Sequence, residues 1–256
     1  METETSDRTL IRAAIQRYFN AGDTGSSAEL RQGFHPGAMM FWVSGDGILQ
    51  SRSQSQWCKA LDEAVAAPAR AVRRQIQWVE LNGGVAVASL LSQFSQYQFQ
   101  DYVLLARAAG RWQIVSKVFQ RLEGGPDRPS GVTSDDRRAE ILDLLARAFR
   151  ARDTYDADLL GQSYHVRATR LEAEEGQLVA VSMPEWRARW RERWIAGEVN
   201  TAARSIVRLE SCGAAAVAQL FHDDGNFPLT EYALILRVEG VWKIMALTCA
   251  PPGRLD

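Results

Sequence analysis

What most constrains this chain of 256 residues is that it repeats itself. Shifted by 130 positions, it places Asp23 on Asp153, Phe34-His35 on Tyr164-His165, Ala38 on Ala168 and Glu80 on Glu210. Ala86-Val87-Ala88 falls on Ala216-Val217-Ala218, Asp101-Tyr102 on Glu231-Tyr232, Leu104 on Leu234, Gly110 on Gly240, Trp112 on Trp242 and Ile114 on Ile244. Rare residue types and turn glycines that agree at one constant offset are hard to obtain by chance. The register slips by one only near Trp57 and Trp186. The chain is therefore one unit written twice, not a solenoid array. Between the copies lies EGGPDRPSGVTSDD (123–136), whose Gly, Pro, Ser and Asp cannot sustain a helix or strand. The expected domains are 8–122 and 135–250, with a linker at 123–134.

Each copy has the same order of elements. The first helix has apolar residues at helical spacing, Leu10, Ile11, Ala14, Ile15 and Tyr18 in one copy and Ile141, Leu142, Leu145, Ala148 and Phe149 in the other. A short second helix leads to Phe34 or Tyr164, and a strand pair follows around Met39–Leu49 and Thr169–Val181, with Ser44-Gly45-Asp46-Gly47 as a turn in the first copy. A third helix begins near Ser53 or Ser182, and Met183-Pro184-Glu185 puts proline where its missing N–H is tolerated. The rest is an antiparallel meander with turns at Asn82-Gly83-Gly84, Ala109-Gly110, Ser211-Cys212-Gly213, His222–Phe227 and Glu239-Gly240. Helices first and strands later give an α+β domain, a curved antiparallel sheet wrapped around helices. The strand YVLLA (102–106) is apolar on both faces, whereas a sheet buried on one side alternates. One face is expected to pack on helices and the other on the neighbouring copy, making an intramolecular pseudo-dimer.

Composition narrows the function. Thirty Lys+Arg against 31 Asp+Glu give a net charge of −1, which argues against the clustered basic excess of a nucleic-acid binder. Cys58, Cys212 and Cys249 form no CxxC, and neither HxxxH nor HxH occurs, so no disulfide framework or metal site is expected. The sequence begins without a basic region and apolar run, and it has no apolar stretch of about 18 residues; the reading is a cytoplasmic protein away from the membrane.

The order helix, FHPGA or YHVRA, strand pair, Trp-bearing helix, then DYVLLARAAGRWQIV or EYALILRVEGVWKIM resembles the NTF2-like superfamily. It is similar to the SnoaL-like and ketosteroid-isomerase-like proteins of this cystatin-like cone fold, and closest to a lumazine-binding-like branch marked by D-Y-hydrophobic-x-L and G-x-W-x-I. The resemblance covers almost the whole chain, twice. It implies an apolar pocket between helices and concave sheet, and members that pair through their sheets; further oligomerisation stays open. It also implies a carboxylate on the first strand as proton shuttle, a place held by Trp42 in the first copy and Glu172 in the second. A helix tyrosine and a later-strand acid would stabilise an oxyanion. The helix place reads as Ile15 or Leu145, and the strand place falls at or next to Tyr102 and Tyr232, so the constellation is incomplete and ketosteroid isomerisation is not supported.

A carboxylate in an apolar cavity has its pKa raised by desolvation, which makes Glu172 a candidate acid or base; it reads equally as a solvated carboxylate in LEAEEG. Tyr102 and Tyr232 are candidates for ligand and oxyanion contacts, or core aromatics in both copies. His35 and His165 read as braces of the helix-to-strand turn. His222 occurs once, in LFHDDG, where adjacent carboxylates could make it an acid–base group or where it simply forms a hairpin tip. Trp186, Trp190 and Trp194 recur every four residues between arginines, an aromatic wall over a flat ligand or a helix docked on its sheet; the first copy has Trp57, Leu61 and Val65 instead. The second copy is therefore expected to hold the working pocket, with Glu172, Tyr232, His222, Trp186 and Trp190, while Trp42, Trp57 and Tyr102 line the first copy, which is chiefly structural. With GxGxxG, P-loop and GxSxG all absent, the chemistry open to these residues is general acid–base work without a cofactor. The expected function is an isomerase, dehydratase, cyclase or epoxide-opening enzyme acting on a hydrophobic small metabolite. The alternative is a non-catalytic module binding a small molecule or a protein.

Overall fold

The structure, a computed structural model, describes residues 2–125, 135–174, 177–223, 225 and 228–250. Most of the expected linker, 126–134, lies outside the described residues, as do three tip residues after His222.

Each copy opens with a long helix, α1 (Glu2–Thr24) and its counterpart α4 (Asp135–Thr154), followed by a short one, α2 (Ser27–Gly33) and α5 (Ala157–Ser163). Ser26 and Asp156 start the short helices by accepting hydrogen bonds from backbone N–H groups in their first turns. The first copy continues as β1 (Phe34–Val43), β2 (Leu49–Ser53), α3 (Gln54–Asp62), β3 (Arg73–Asn82), β4 (Val85–Gln93), β5 (Tyr97–Ala108) and β6 (Arg111–Glu123). The second runs β7 (Tyr164–Glu174), β8 (Gln177–Ser182), α6 (Met183–Ile195), β9 (Ala203–Cys212), β10 (Ala215–Asp223), β11 (Leu229–Val238) and β12 (Val241–Ala250). Both α3 and α6 begin with a full capping box, Ser53 with Gln56 and Ser182 with Glu185. At the β5–β6 and β11–β12 turns, Ala109-Gly110 and Glu239-Gly240 both adopt positive φ, the backbone that a tight two-residue hairpin requires.

Each copy forms one six-stranded sheet, ordered β2-β1-β6-β5-β4-β3 and β8-β7-β12-β11-β10-β9. The expected all-antiparallel sheet is corrected here: β1 pairs with β6, and β7 with β12, in parallel. The reason lies in connectivity, since β1 is joined to β6 through the rest of its domain and not through a hairpin.

Three apolar cores result. In each copy one fills the space between helices and sheet, built on Ile11, Ile15, Phe34, Val103 and Leu105 in the first and on Ile141, Leu145, Tyr164, Ala233 and Ile235 in the second. The third lies between the two sheets and draws Val85, Val87, Tyr102 and Leu104 from one copy and Ala215, Val217, Tyr232 and Leu234 from the other. Successive strand residues point to opposite faces, so YVLLA is apolar throughout because both of its faces are covered. The two copies form a pseudo-dimer whose polar contacts carry the repeat offset. Trp78 donates to Glu210 at 2.7 Å, and Arg208, the counterpart of Trp78, pairs with Glu80, the counterpart of Glu210, at 2.9 Å. This reciprocity is the signature of an isologous two-fold interface.

Candidate functional site

A cavity of about 250 Å³ opens between the helices and sheet of the first copy. Its walls are aromatic. Trp42 stacks on Phe119 at 5.4 Å, Phe99 meets Phe119 edge-on at 5.5 Å, and Trp57 meets Tyr18 edge-on at 5.9 Å. Into this lining comes a buried polar group assembled from three elements. Tyr18 on α1 donates to Asp101 Oδ2 at 2.8 Å, and Lys117 on β6 donates to the Tyr18 oxygen at 2.5 Å and pairs with Asp101 Oδ1 at 2.9 Å. The Lys117 Nζ also lies 4.5 Å from the Tyr18 ring and 4.6 Å from the Phe119 ring, where ring faces attract a cation. Burial, then the Asp101 carboxylate, holds the Tyr18 hydroxyl well above its ordinary pKa, so it stays a donor. Burial pulls the Lys117 ammonium below its ordinary value against the opposing pull of Asp101.

The second copy has a cavity of about 330 Å³ in the corresponding place, with a different lining. Glu231, the counterpart of Asp101, is fully buried and accepts from Arg152 at 2.7 and 2.8 Å and from His222 Nε2 at 2.7 Å. Burial alone would raise its pKa; Arg152, His222 and Arg170 overcome that and hold the carboxyl well below the usual carboxylate range. Arg204 Nη1 faces His222 Nδ1 at 3.3 Å. As a guanidinium can only donate, this contact assigns the acceptor role to Nδ1 and the ring proton to Nε2. Arg170 pairs with Glu172, and the Arg152 and Arg170 guanidiniums lie 5.6 and 5.0 Å from the Trp186 ring.

The sequence-predicted residues divide between these places. Glu172, His222, Trp186 and Trp190 line the second cavity, and Trp42 and Trp57 line the first. Tyr232 and Tyr102 do not reach either; both are buried in the core between the sheets, one strand position away from Asp101 and Glu231, which lie fully buried behind the cavity linings and bind the lining residues Lys117 and Arg152. A single residue along a strand reverses the face, which is why Asp101 and Glu231 turn inward and the tyrosines outward. On the first helix Ile15 packs in the core, and Tyr18, one turn further on, lines the first cavity. Glu172 sits against Arg170 in a polar lining and not in an apolar one. His222 is no hairpin tip: it is a buried β10 residue whose acid is Glu231 on the neighbouring strand, not the adjacent aspartates. Trp194 is 56% exposed, because residues four apart drift by about 40° and the third tryptophan leaves the buried stripe. His35 and His165 each accept a backbone N–H two residues on, at 3.1 Å, and so brace the start of β1 and β7. The first copy holds a cavity as well.

Asp101, Tyr18 and Lys117 were not singled out by the sequence reading. The available signal was a lone lysine in IVSKVF, on a strand whose neighbours are apolar on both faces. Among the described residues, no group of three or more His, Cys, Asp or Glu is placed to hold a metal ion, and no helix is long and apolar enough to cross a membrane.

A family model described as "Putative lumazine-binding" matches residues 6–120 and again 136–248. No curated protein matches the chain. Similar solved structures include an NTF2-like protein of unknown function from Silicibacter pomeroyi, 19% identical, covering 47% of this chain and 99% of its own, with a TM-score of 0.42. Another, from Shewanella baltica and also of unknown function, is 23% identical and covers 46% of this chain and 94% of its own, with a TM-score of 0.42. Each spans about half of the chain. The family match thus falls twice in tandem, once on each half.

Proposed function

Since the chain belongs to the putative lumazine-binding family in both of its halves, we propose that it takes small molecules in the two cavities between helices and sheet, one in each copy, and that the first copy does acid–base chemistry there on a flat, hydrophobic metabolite bearing a carbonyl or enol oxygen. One observation carries this reading: a buried Tyr18–Asp101–Lys117 network set in the wall of an aromatic cavity. A buried ion pair is costly to desolvate, and apolar residues of the same volume would serve the fold as well or better. The ammonium has three N–H donors, of which Tyr18 and Asp101 take two. The third is free to meet a ligand oxygen. A fixed cation in a cavity of low dielectric stabilises negative charge as it develops on that oxygen, and Tyr18 with Asp101 holds the cation in place beforehand. The α-proton leaves to a solvent base, hydroxide or buffer, as the C–H electron pair moves onto the oxygen, and returns from solvent to complete the exchange.

A second reading, binding without turnover, is favoured by the occupation of Asp101: one of its oxygens receives Tyr18 and the other Lys117. Proton exchange separates the two. With 2-tetralone as probe in D₂O, the enzyme reading expects faster exchange of the α-protons, quenching of tryptophan fluorescence, and a loss of about 100-fold in exchange rate for Lys117→Met. Removing one partner of a buried pair destabilises by about 3–5 kcal/mol, so Lys117→Met/Asp101→Leu serves as the folded comparison. Quenching without exchange would select the binding module. Neither effect, for this ketone and for its naphthol analogue, would sink the assignment of the first cavity.

A further inference from the structure

Both cavities are lined by aromatic and cationic side chains, but the second carries more cations, five against the Arg52, Arg74 and Lys117 of the first. The second lining includes Arg152, Arg170, Arg189, Arg193 and Arg204. Arg204 is tied to Asp153 at 2.8 Å, as its counterpart Arg74 is tied to Asp23 at 2.6 Å, so this pair belongs to the shared frame. Arg152 does not: its counterpart is Gly22, and the space beside that glycine is taken by the Arg74 guanidinium, 2.8 Å from where a Cβ would stand. The second copy has therefore placed a cation at a position of its first helix where the first copy has none, while Leu247 stands where the first copy has Lys117. Arg152 is 9% exposed; its Nη1 is bound to Glu231 and the buried Tyr164 hydroxyl also lies against the guanidinium, while Nη2 is buried without a hydrogen-bond partner. An unmet guanidinium donor in a buried, pocket-lining position is expensive unless something accepts from it. Arg189 and Arg193 at the exposed rim add positive charge, and Trp186 and Trp190 add flat apolar surface between rim and floor.

We propose that this cavity is a site for a planar organic carboxylate, its anionic group accepting from Arg152 Nη2 and attracted by the Arg189–Arg193 rim, its ring against the tryptophans. A carboxylate has acceptor capacity on both oxygens and suits the planar guanidinium better than a point anion does. Glu172 is the internal competitor: its carboxylate already occupies Arg170, so removing its charge should leave more for the ligand. This site is distinct from the Lys117 cavity, and either can fail without the other.

The test is isothermal titration of the full chain with benzoate, with benzamide as its neutral isostere and with inorganic phosphate. Benzoate is expected to bind at least about tenfold more tightly than benzamide. The double variant Arg189→Glu/Arg193→Glu, made at exposed positions that leave the core alone, should weaken benzoate by about tenfold or more, and Glu172→Gln should tighten it by about threefold. Benzamide equal to benzoate, no benzoate binding, or binding untouched by the rim reversal would each overturn the assignment. Phosphate binding as tightly as benzoate would overturn its planar part.

Discussion

Asp101 and Glu231 occupy the same place in the two copies, yet the side chains that neutralise them come from different elements. Lys117 on β6 and Tyr18 on α1 serve Asp101; Arg152 on α4 and His222 on β10 serve Glu231. Where Lys117 stands, the second copy has Leu247; where His222 stands, the first has Ser92. The depressed pKa of Glu231 has a consequence that pH can read. Its carboxyl stays ionised in the fold well below the ordinary 4.5, so as pH falls through about 4.5 the unfolded chain takes up the proton first. The stability it contributes is thus present above that pH and is lost below it. Urea midpoints measured from pH 7 to pH 3 should fall most steeply below 4.5, and Glu231→Gln should flatten that limb while lowering stability at pH 7, as Arg152 and His222 lose their acceptor. Residue-level function was the least legible part of the sequence. The resemblance put the strand place at or next to Tyr102 and Tyr232, and the side chains that turn toward the helices are the acids one position earlier. A strand reading that is off by one residue lands on the opposite face, and a helix reading off by one turn lands on Ile15 and not on Tyr18.

At the scale of elements, α6 shows how a local signal sets the wall of a cavity. Ser182 accepts from the Glu185 N–H, and Glu185 accepts in return from the Ser182 N–H at 2.9 Å, so the helix starts at one fixed residue. That start determines which way Trp186 and Trp190 face. Ser182→Ala should cost about 1 kcal/mol in denaturant unfolding, and the indole signals of Trp186 and Trp190 should broaden as the first turn frays. The helices, their starts and the hairpins were legible because each is specified by residues close together in sequence: a cap, a Pro in the first turn, a pair of turn residues. The parallel pairings β1–β6 and β7–β12 were not, since they join segments without a turn between them and leave no local mark. Nothing in Met39–Val43 states that it will lie beside Ser116–Phe119. The outcome matters to the site, because this pairing is what carries Lys117 and Trp42 to one wall.

For the whole molecule, the sheet faces that would otherwise seek a second chain are already covered by the other copy, through the third core and the reciprocal Trp78–Glu210 and Arg208–Glu80 contacts. Sedimentation should give the mass of a single chain over a wide range of concentrations; a dimer would show that another face is free to associate. This arrangement was readable from the apolar strand YVLLA together with the duplication, since only a second sheet could cover its other side. One consequence of joining the two copies in a single chain concerns inheritance. When two identical subunits pair, every substitution appears in both pockets at once, so an arginine gained on one side is gained on the other. Here the genetic text of each pocket is separate. Gly22 can stay while Arg152 changes, and the same frame can hold a more aromatic chamber on one side and a more cationic one on the other. A symmetric frame has become one that holds two differently lined cavities a fixed distance apart.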